Sequence, residues 1–179
     1  MAQQEILIWP DARLKKKSAP VTVFDDELKN LVSDMLETMY EEDGIGLAAP
    51  QVGIHKRVVV IDIFSGQEEV PEDHEPLVLI NMEFVEKKGH ITWEEGCLSV
   101  PGETGDVKRA NEVRVRYQNL DDEWYEVTAE ELLAVALQHE NDHLDGILFV
   151  DHLSTLKRKI IKRKMLKLKA ELEAQRQAS

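Results

Sequence analysis

The segment Gln138-His139-Glu140-Asn141-Asp142-His143 constrains this chain more than any other feature. His139 and His143 stand four residues apart, so on a helix both imidazoles leave the same face, about one turn apart. One turn earlier that face carries Leu132, Val135 and Ala136, all apolar. The histidines therefore lie on the buried side of their helix, and a surface helix with incidental histidines fits poorly. Two imidazoles at this spacing can bind one metal ion. Glu140 follows the first histidine directly, so it can stand beside an ion without ligating it and take a proton from water. Any fold for this chain must bury that helix and still leave a path to it.

The flanking sequence sets the helix in context. Thr128-Ala129-Glu130-Glu131 reads as a capping box, with Thr128 at the N-cap and Glu131 three residues on. The helix is expected to reach about Leu144 and to stop before Gly146. A second helix is expected over Asp25 to Tyr40, where Leu28, Leu31, Val32, Met35, Leu36 and Met39 form one apolar stripe. Asp25 or Asp26 can cap it, and Gly44 follows its end. Arg57 to Ile63 reads as a buried strand. Shorter strands are expected at Leu77 to Asn81, Phe84 to Glu86, Ile91 to Trp93, Val113 to Tyr117 and Trp124 to Val127. Residues 65–76 are acidic, carry two prolines and read as an exposed loop. From about Ser154 to the end the chain is helix-prone, with no Pro or Gly. Strands and helices do not alternate regularly, which predicts an α+β fold with antiparallel sheets. With no repeat and no flexible linker, residues 1–153 are expected to form one catalytic domain, extended by a basic C-terminal helix over 154–179.

Two histidines need a third protein ligand to make a catalytic site. The only histidine downstream is His152, nine residues after His143. A metzincin would place Gly three and His six residues after the second histidine. Here those positions are Gly146 and Phe149, so the third histidine is missing. The other source lies upstream, in Glu94-Glu95-Gly96-Cys97-Leu98-Ser99-Val100-Pro101. Cys97 is the sole cysteine, which excludes a disulfide framework and a four-cysteine zinc site. A lone cysteine is most often a small buried hydrophobe, less often a nucleophile or a ligand. As a thiolate on a strand edge it would complete a Cys/His/His site with one open position, the composition of a catalytic metal site. Such a site accepts Zn²⁺, Ni²⁺, Co²⁺ or Fe²⁺. A zinc peptidase, or an RNA-associated module with a closed structural metal, are the competing readings. The first lacks a downstream ligand, and the second lacks an evident fourth ligand.

Three separated motifs resemble those of the bacterial peptide deformylases: Gly44-Ile45-Gly46-Leu47-Ala48-Ala49-Pro50-Gln51, Glu95-Gly96-Cys97-Leu98-Ser99, and Gln138-His139-Glu140-x-Asp142-His143-Leu144-x-Gly146. Their order and separations match too. The resemblance implies antiparallel sheets around a central helix that carries the histidines. It implies a hydrolase that removes the N-formyl group from the starting methionine of new polypeptides and releases formate. Cys97, His139 and His143 would hold one divalent ion, ferrous iron being the family's metal, with zinc, nickel or cobalt possible in purified protein. Glu140 would act as the general base, then as the acid toward the leaving amine. The amide of Gln51 and the backbone N–H of Leu98 would stabilise the tetrahedral oxyanion. Because a formyl carbon carries only hydrogen, the site can be narrow enough to exclude an acetyl methyl.

The resemblance also implies an extended substrate that pairs through its backbone beside Gly46 and Gly96, where a missing Cβ allows close approach. Ile45, Leu132, Val135, Ala136 and His139 would form the methionine pocket. Trp93 is either a wall of that pocket or ordinary packing on a sheet, the simpler reading. Gln138 and Asp142 are expected to give structural support. His55, His74, His90 and His152 show no ligand spacing. Some relatives carry an arginine near Thr104. Its lack here leaves a substrate contact from Gly102 to Gly105 without support. No lysine with Ser or Thr follows Gly44-x-Gly46, so that turn is not a phosphate loop.

The net charge of −13 argues against general nucleic-acid binding. It is unevenly spread, since residues 157–179 carry +7 and residues 1–156 carry −20. A basic helix with Ile161, Met165, Leu168 and Leu172 on one face is by default a solvated face. In the family such a helix docks at the ribosome, so the resemblance implies ribosomal RNA near the exit tunnel as a partner. The four-residue apolar stretch near the N-terminus is too short for a signal peptide, and no run approaches the roughly 20 residues of a membrane span. A monomer in the reducing cytoplasm, free of the membrane, is the expectation.

Overall fold

The computed structural model describes residues 2–178. Its elements follow in the order α1 (Asp26–Glu41), β1 (Gly46–Ala48), β2 (Val58–Ile61), β3 (Leu77–Lys88), β4 (Ile91–Cys97), β5 (Val100–Arg109), β6 (Glu112–Gln118), β7 (Trp124–Glu130), α2 (Glu131–Leu144) and α3 (Thr155–Ala178). Short 3₁₀ turns occur at Ala12–Lys15, Ala49–Val52 and Phe149–His152. One antiparallel sheet has the order β1-β2-β3-β6-β7, and β4 and β5 form a separate hairpin. This is the expected α+β arrangement.

Local sequence accounts for most of these elements. The carboxylate of Asp25 caps α1 by accepting from the Leu28 N–H at 3.1 Å. Leu28, Val32, Met35 and Met39 are buried along α1, with Leu31 and Leu36 at the edge of the same cluster. Strand β2 is four β-branched residues, Val58 to Ile61, buried on both faces because it lies inside the sheet. The strands expected at Leu77 to Asn81 and Phe84 to Glu86 are one strand, β3. The apolar pattern breaks there because the β3–β6 register shifts between Ile80 and Glu83, with Asn81 at φ 54°.

Two expectations need correction. Thr128 is not an N-cap: it pairs with Arg114 inside β7, and α2 begins only at Glu131. The strand wins over the capping box because β7 is zipped to β6 along its whole length, from Trp124 to Glu130. Glu131 then turns the chain into the helix with a left-handed φ of 54°. The second correction is β5, for which no strand was expected. Its glycines, proline and charges hide it, but it pairs with β4 from Arg109 back to Val100 and turns Val107 and Arg109 inward.

Helix α2 is the centre of the molecule. Ala134 to Gln138, Glu140, His143 and Leu144 are buried in it. It ends as expected at Gly146, whose φ is 76°. A Cβ on Gly146 would collide with the backbone carbonyl of Lys15, so the close approach of the N-terminal segment also demands glycine. The C-terminal helix is docked on the body. Ile161 and Met165 are buried with Leu7, Trp9, Val100, Val107 and Phe149, and Leu168 packs at the margin. Ser179 lies outside the described residues. Among the described residues no helix is long and apolar enough to cross a membrane.

Candidate active site

Three elements converge on one point. Helix α2 presents His139 and His143, β4 ends in Cys97, and the turn after β1 carries Gln51. The ligand atoms of Cys97, His139 and His143 lie within 4.8 Å of one another. The Cys97 Sγ is 3.3 Å from His143 Nε2. This is the one such cluster among the described residues. One soft thiolate and two imidazoles, gathered without a fourth side-chain ligand, fit a divalent transition metal with an open position. His152, which shows no ligand spacing in the sequence, plays no part in this cluster. It bonds instead to Asp142 at 2.9 Å.

Glu95, which the sequence presents only as the first residue of the cysteine motif, organises the cluster. Its Oε1 is 2.7 Å from His139 Nδ1, which leaves Nε2 to face the Cys97 side. Arg109 donates from Nε and Nη2 to both oxygens of Glu95, at 2.7 and 2.9 Å, and from Nη1 to Asp142 at 2.7 Å. Burial raises the Glu95 pKa, but the bonds from Arg109 and His139 outweigh it and hold the carboxyl down at about 2. Burial likewise opposes charge on His139, yet Cys97 and Glu95 hold it well above the usual histidine range. His143, with no such carboxylate, is pushed well below that range by burial and by His139. The alternation of β4 could have revealed Glu95, since residues 95 and 97 share a strand face. Arg109 carried no comparable signal, because it ends the strand that the sequence concealed.

Gln138 and Asp142 give the support expected of them. The Gln138 amide donates to the Ala110 carbonyl and accepts from its N–H, at 2.9 and 3.0 Å. With the Arg109–Asp142 bond, this fastens α2 to the end of β5.

Glu140 is 3% exposed, and its Oε2 has no hydrogen-bond partner. Burial drives its pKa up to about 7. A buried carboxyl of this kind can exchange a proton near neutral pH. Gln51 is 1% exposed and its amide is fixed in orientation. Its Oε1 accepts from the Ala48 N–H at 2.9 Å, so its Nε2 points at Ser99 Oγ (3.0 Å) and Cys97 Sγ (3.4 Å).

A cavity of about 690 Å³ opens onto these groups. Ile45, Gly46, Gln51, Gly96, Leu98, Leu132, Val135 and Ala136 all line it, as do Cys97, His139 and Glu140. Trp93 lines it too, so it is more than sheet packing. Gly102, Glu103 and Thr104 also border it. The two glycines differ in kind. A Cβ on Gly46 would come within 3.0 Å of the Glu140 carboxyl, so this glycine makes room for the acid. A Cβ on Gly96 would meet only ordinary contacts, at 3.6 Å from the Glu103 carbonyl oxygen and the Thr104 methyl, so no close approach within the fold demands glycine there.

Residues 3–159 match the sequence profile of the polypeptide deformylase family. The chain belongs to that family. The peptide deformylase of Alkalilimnicola ehrlichii is 52% identical over 168 residues, covering 94% of this chain and 92% of the relative. That of Hamiltonella defensa is 48% identical over 94% of this chain and 95% of its own. A crystal structure of a peptide deformylase from Legionella pneumophila superposes with a TM-score of 0.88 at 46% identity, covering 97% of this chain and 98% of that one. The chain is accordingly a peptide deformylase, a metal-dependent hydrolase that takes the formyl group from the N-terminal formylmethionine of newly made polypeptides. Within the deformylase frame, the Cys/His/His cluster is the possible metal site.

Proposed function

We propose that deformylation is carried out by Glu140, Gln51 and Leu98 around a metal held by Cys97, His139 and His143. The observation that carries this reading is the gathering of those three ligand atoms within 4.8 Å of one another beside Glu140, on the wall of the cavity. A divalent ion bound there supplies Lewis acidity and lowers the pKa of water toward neutrality. The side chains do the rest. Glu140 takes the proton from the attacking water and passes one to the leaving amine. The orientation of the Gln51 amide supports its role as a donor to the developing oxyanion, with the Leu98 N–H as the second donor. Ile45, Leu132, Val135 and Ala136 form an apolar recess for the methionine side chain, and Gly46 and Gly96 flank its backbone.

The ion is ferrous iron in the working enzyme. Membership of the deformylase family supports this, while one thiolate and two imidazoles accept zinc, nickel or cobalt as readily, so these can replace iron on purification. The chain works as a cytoplasmic monomer, as one catalytic domain through residue 153 with α3 as its extension. The exposed lysines and arginines of α3, opposite the buried Ile161 and Met165, support contact with ribosomal RNA near the exit tunnel. Charge reversal at Lys159, Lys162, Arg163 and Lys167 is expected to abolish ribosome co-sedimentation without unfolding the core. Truncation is a poorer test, because it would strip two buried side chains from the core.

The deciding assay is formate release from a formyl-Met peptide by freshly reduced, iron-loaded protein, with acetyl-Met peptide as control. Chelator-sensitive release from the formyl substrate alone is expected. No release would sink the assignment.

A further inference from the structure

Strand β2 runs into Asp62, an acid placed directly after four buried β-branched residues. Asp62 is 7% exposed and stands apart from the Cys/His/His cluster. Its bonds reach three parts of the chain. The backbone N–H donates to the Ile45 carbonyl at 2.7 Å. Oδ2 accepts from the Tyr40 hydroxyl at 2.6 Å. Oδ1 accepts from the Phe64 N–H at 3.0 Å and meets His74 Nε2 at 2.7 Å. The first two bonds bear on the cavity. Tyr40 lies in the last turn of α1 and Ile45 just before β1, and between them Glu42, Asp43 and Gly44 line one wall. A single residue therefore holds this wall at both ends, by its side chain at the start and by its backbone at the finish.

The wall is stiff between those ends. The Asp43 N–H donates to the Tyr40 carbonyl at 3.2 Å, and the Gly44 N–H to the carbonyl of the fully buried Met39 at 2.9 Å. The turn is thus one piece with the end of α1. Its neighbours across the cavity are close. A Cβ on Gly44 would come within 2.6 Å of Leu98 Cδ1, and one on Gly46 within 3.0 Å of the Glu140 carboxyl. Ile45 lies between these two contacts and lines the cavity. Asp62 fastens to β2 a wall that abuts Leu98 and Glu140. The bond from Tyr40 is short and charge-assisted, the class of hydrogen bond that holds a geometry most firmly.

We propose that Asp62 and Tyr40 are positioning residues that set the width of the recess for the first side chain of the substrate, acting through Ile45. The inference rests on the deformylase site argued above. With this clasp released, the wall relaxes away from Leu98, the recess widens, and a bulkier first residue gains on methionine. A contact of methylene size in an apolar pocket discriminates by roughly 10–200-fold, so even a partial widening is measurable as lost selectivity. His74 shares the same carboxylate and packs edge-on against Phe64, and neither ring lines the cavity. It provides a control that weakens the cluster without releasing the wall.

The test is kcat and KM for formyl-Met-Ala-Ala and formyl-Phe-Ala-Ala, read as formate release by the metal-loaded full-length enzyme and its Tyr40→Phe, Asp62→Ala and His74→Ala variants. The Met-over-Phe ratio of kcat/KM is expected to fall about fivefold in Tyr40→Phe and further in Asp62→Ala. A raised KM for the methionine peptide carries the change, with kcat and metal content near those of the parent. His74→Ala keeps the parent ratio. The ratio does not depend on the amount of folded enzyme, so a role in stability alone leaves it unmoved. If Asp62→Ala does not fold, Tyr40→Phe decides, since it removes one hydroxyl from a ring that is 40% exposed. A parent-like ratio in Tyr40→Phe would overturn the positioning role while leaving deformylation intact. A shift in His74→Ala as large as that in Tyr40→Phe would overturn it too. No turnover of the methionine peptide by the parent would overturn the deformylase site itself, and the inference with it.

Discussion

His139 Nδ1 and Glu95 Oε1 meet at 2.7 Å, and the same carboxylate is held on both oxygens by Arg109. Glu95 thus fixes the ring that faces the metal position and balances a guanidinium that is 5% exposed. These roles separate in two variants. Glu95→Gln keeps the shape but removes the charge, and is expected to weaken metal affinity by about 10- to 100-fold. Glu95→Ala also leaves Arg109 without its main counter-charge and is expected to cost about 3–5 kcal/mol of stability. Competition with a chelator reads the first effect, and urea unfolding of the metal-free protein reads the second.

Glu140 offers the opposite trade. Its Oε2 is buried without a partner, so the fold gains little from its carboxylate. Glu140→Ala is expected to retain the metal and the unfolding midpoint while losing about 10²–10⁴-fold in kcat. Elemental analysis beside the formate assay checks both halves. Retention of most activity would refute Glu140 as the base.

Cys97 distinguishes this site from a peptidase built on the same two histidines. Cys97→Ser replaces the thiolate with a hydroxyl, a far weaker ligand for iron or zinc. Loss of metal during dialysis, under conditions that leave the parent loaded, is the expected result. A serine variant with undiminished metal content would show that the third ligand lies elsewhere.

The site was more legible in the sequence than the scaffold that holds it. His139, His143 and Glu140 stand out because helical spacing and residue chemistry are both local, whereas Cys97, far upstream, enters only as another source of a third ligand. Ile45, Leu132, Val135 and Ala136, which line the cavity, are named through the resemblance. What escaped depends on pairing over distance. β5 has almost no apolar period, because it is stabilised by β4 rather than by its own propensity. Arg109, at its far end, was invisible with it. Thr128 misled for the same reason: its capping motif is real as a sequence, but the β6 ladder claims it first.

Asp62 gives a pH dependence remote from the metal. Its carboxylate accepts from Tyr40 Oη at 2.6 Å and from the Phe64 N–H at 3.0 Å, and it pairs with His74 Nε2 at 2.7 Å. Burial raises its pKa, but the bonds to Tyr40, His74 and Phe64 outweigh burial and lower it overall. A depressed folded-state pKa stabilises the fold above the unfolded value of roughly 4, and that contribution is lost as pH falls through the folded value. Asp62→Asn should therefore cost on the order of 1 kcal/mol at pH 7 and progressively less below about pH 4. Urea unfolding of both proteins across that range measures the difference. A gap that widened toward acid pH would contradict this sign.

Gly46 and Gly146 make a final contrast, one for chemistry and one for folding. Alanine at 46 places a Cβ within 3.0 Å of the Glu140 carboxyl, which must then shift. Displacing a catalytic group by about 1 Å can cost on the order of 10²-fold in rate, so Gly46→Ala should be folded, metal-bound and slow. Alanine at 146 has no room for its Cβ against the Lys15 backbone and must also adopt a φ of 76°. Gly146→Ala should lose about 1–3 kcal/mol or more of stability, while the fraction that folds keeps its kcat. Thermal unfolding and active-site titration of both variants test the pair. A stable, fully active Gly146→Ala would mean that the N-terminal segment yields to the added methyl.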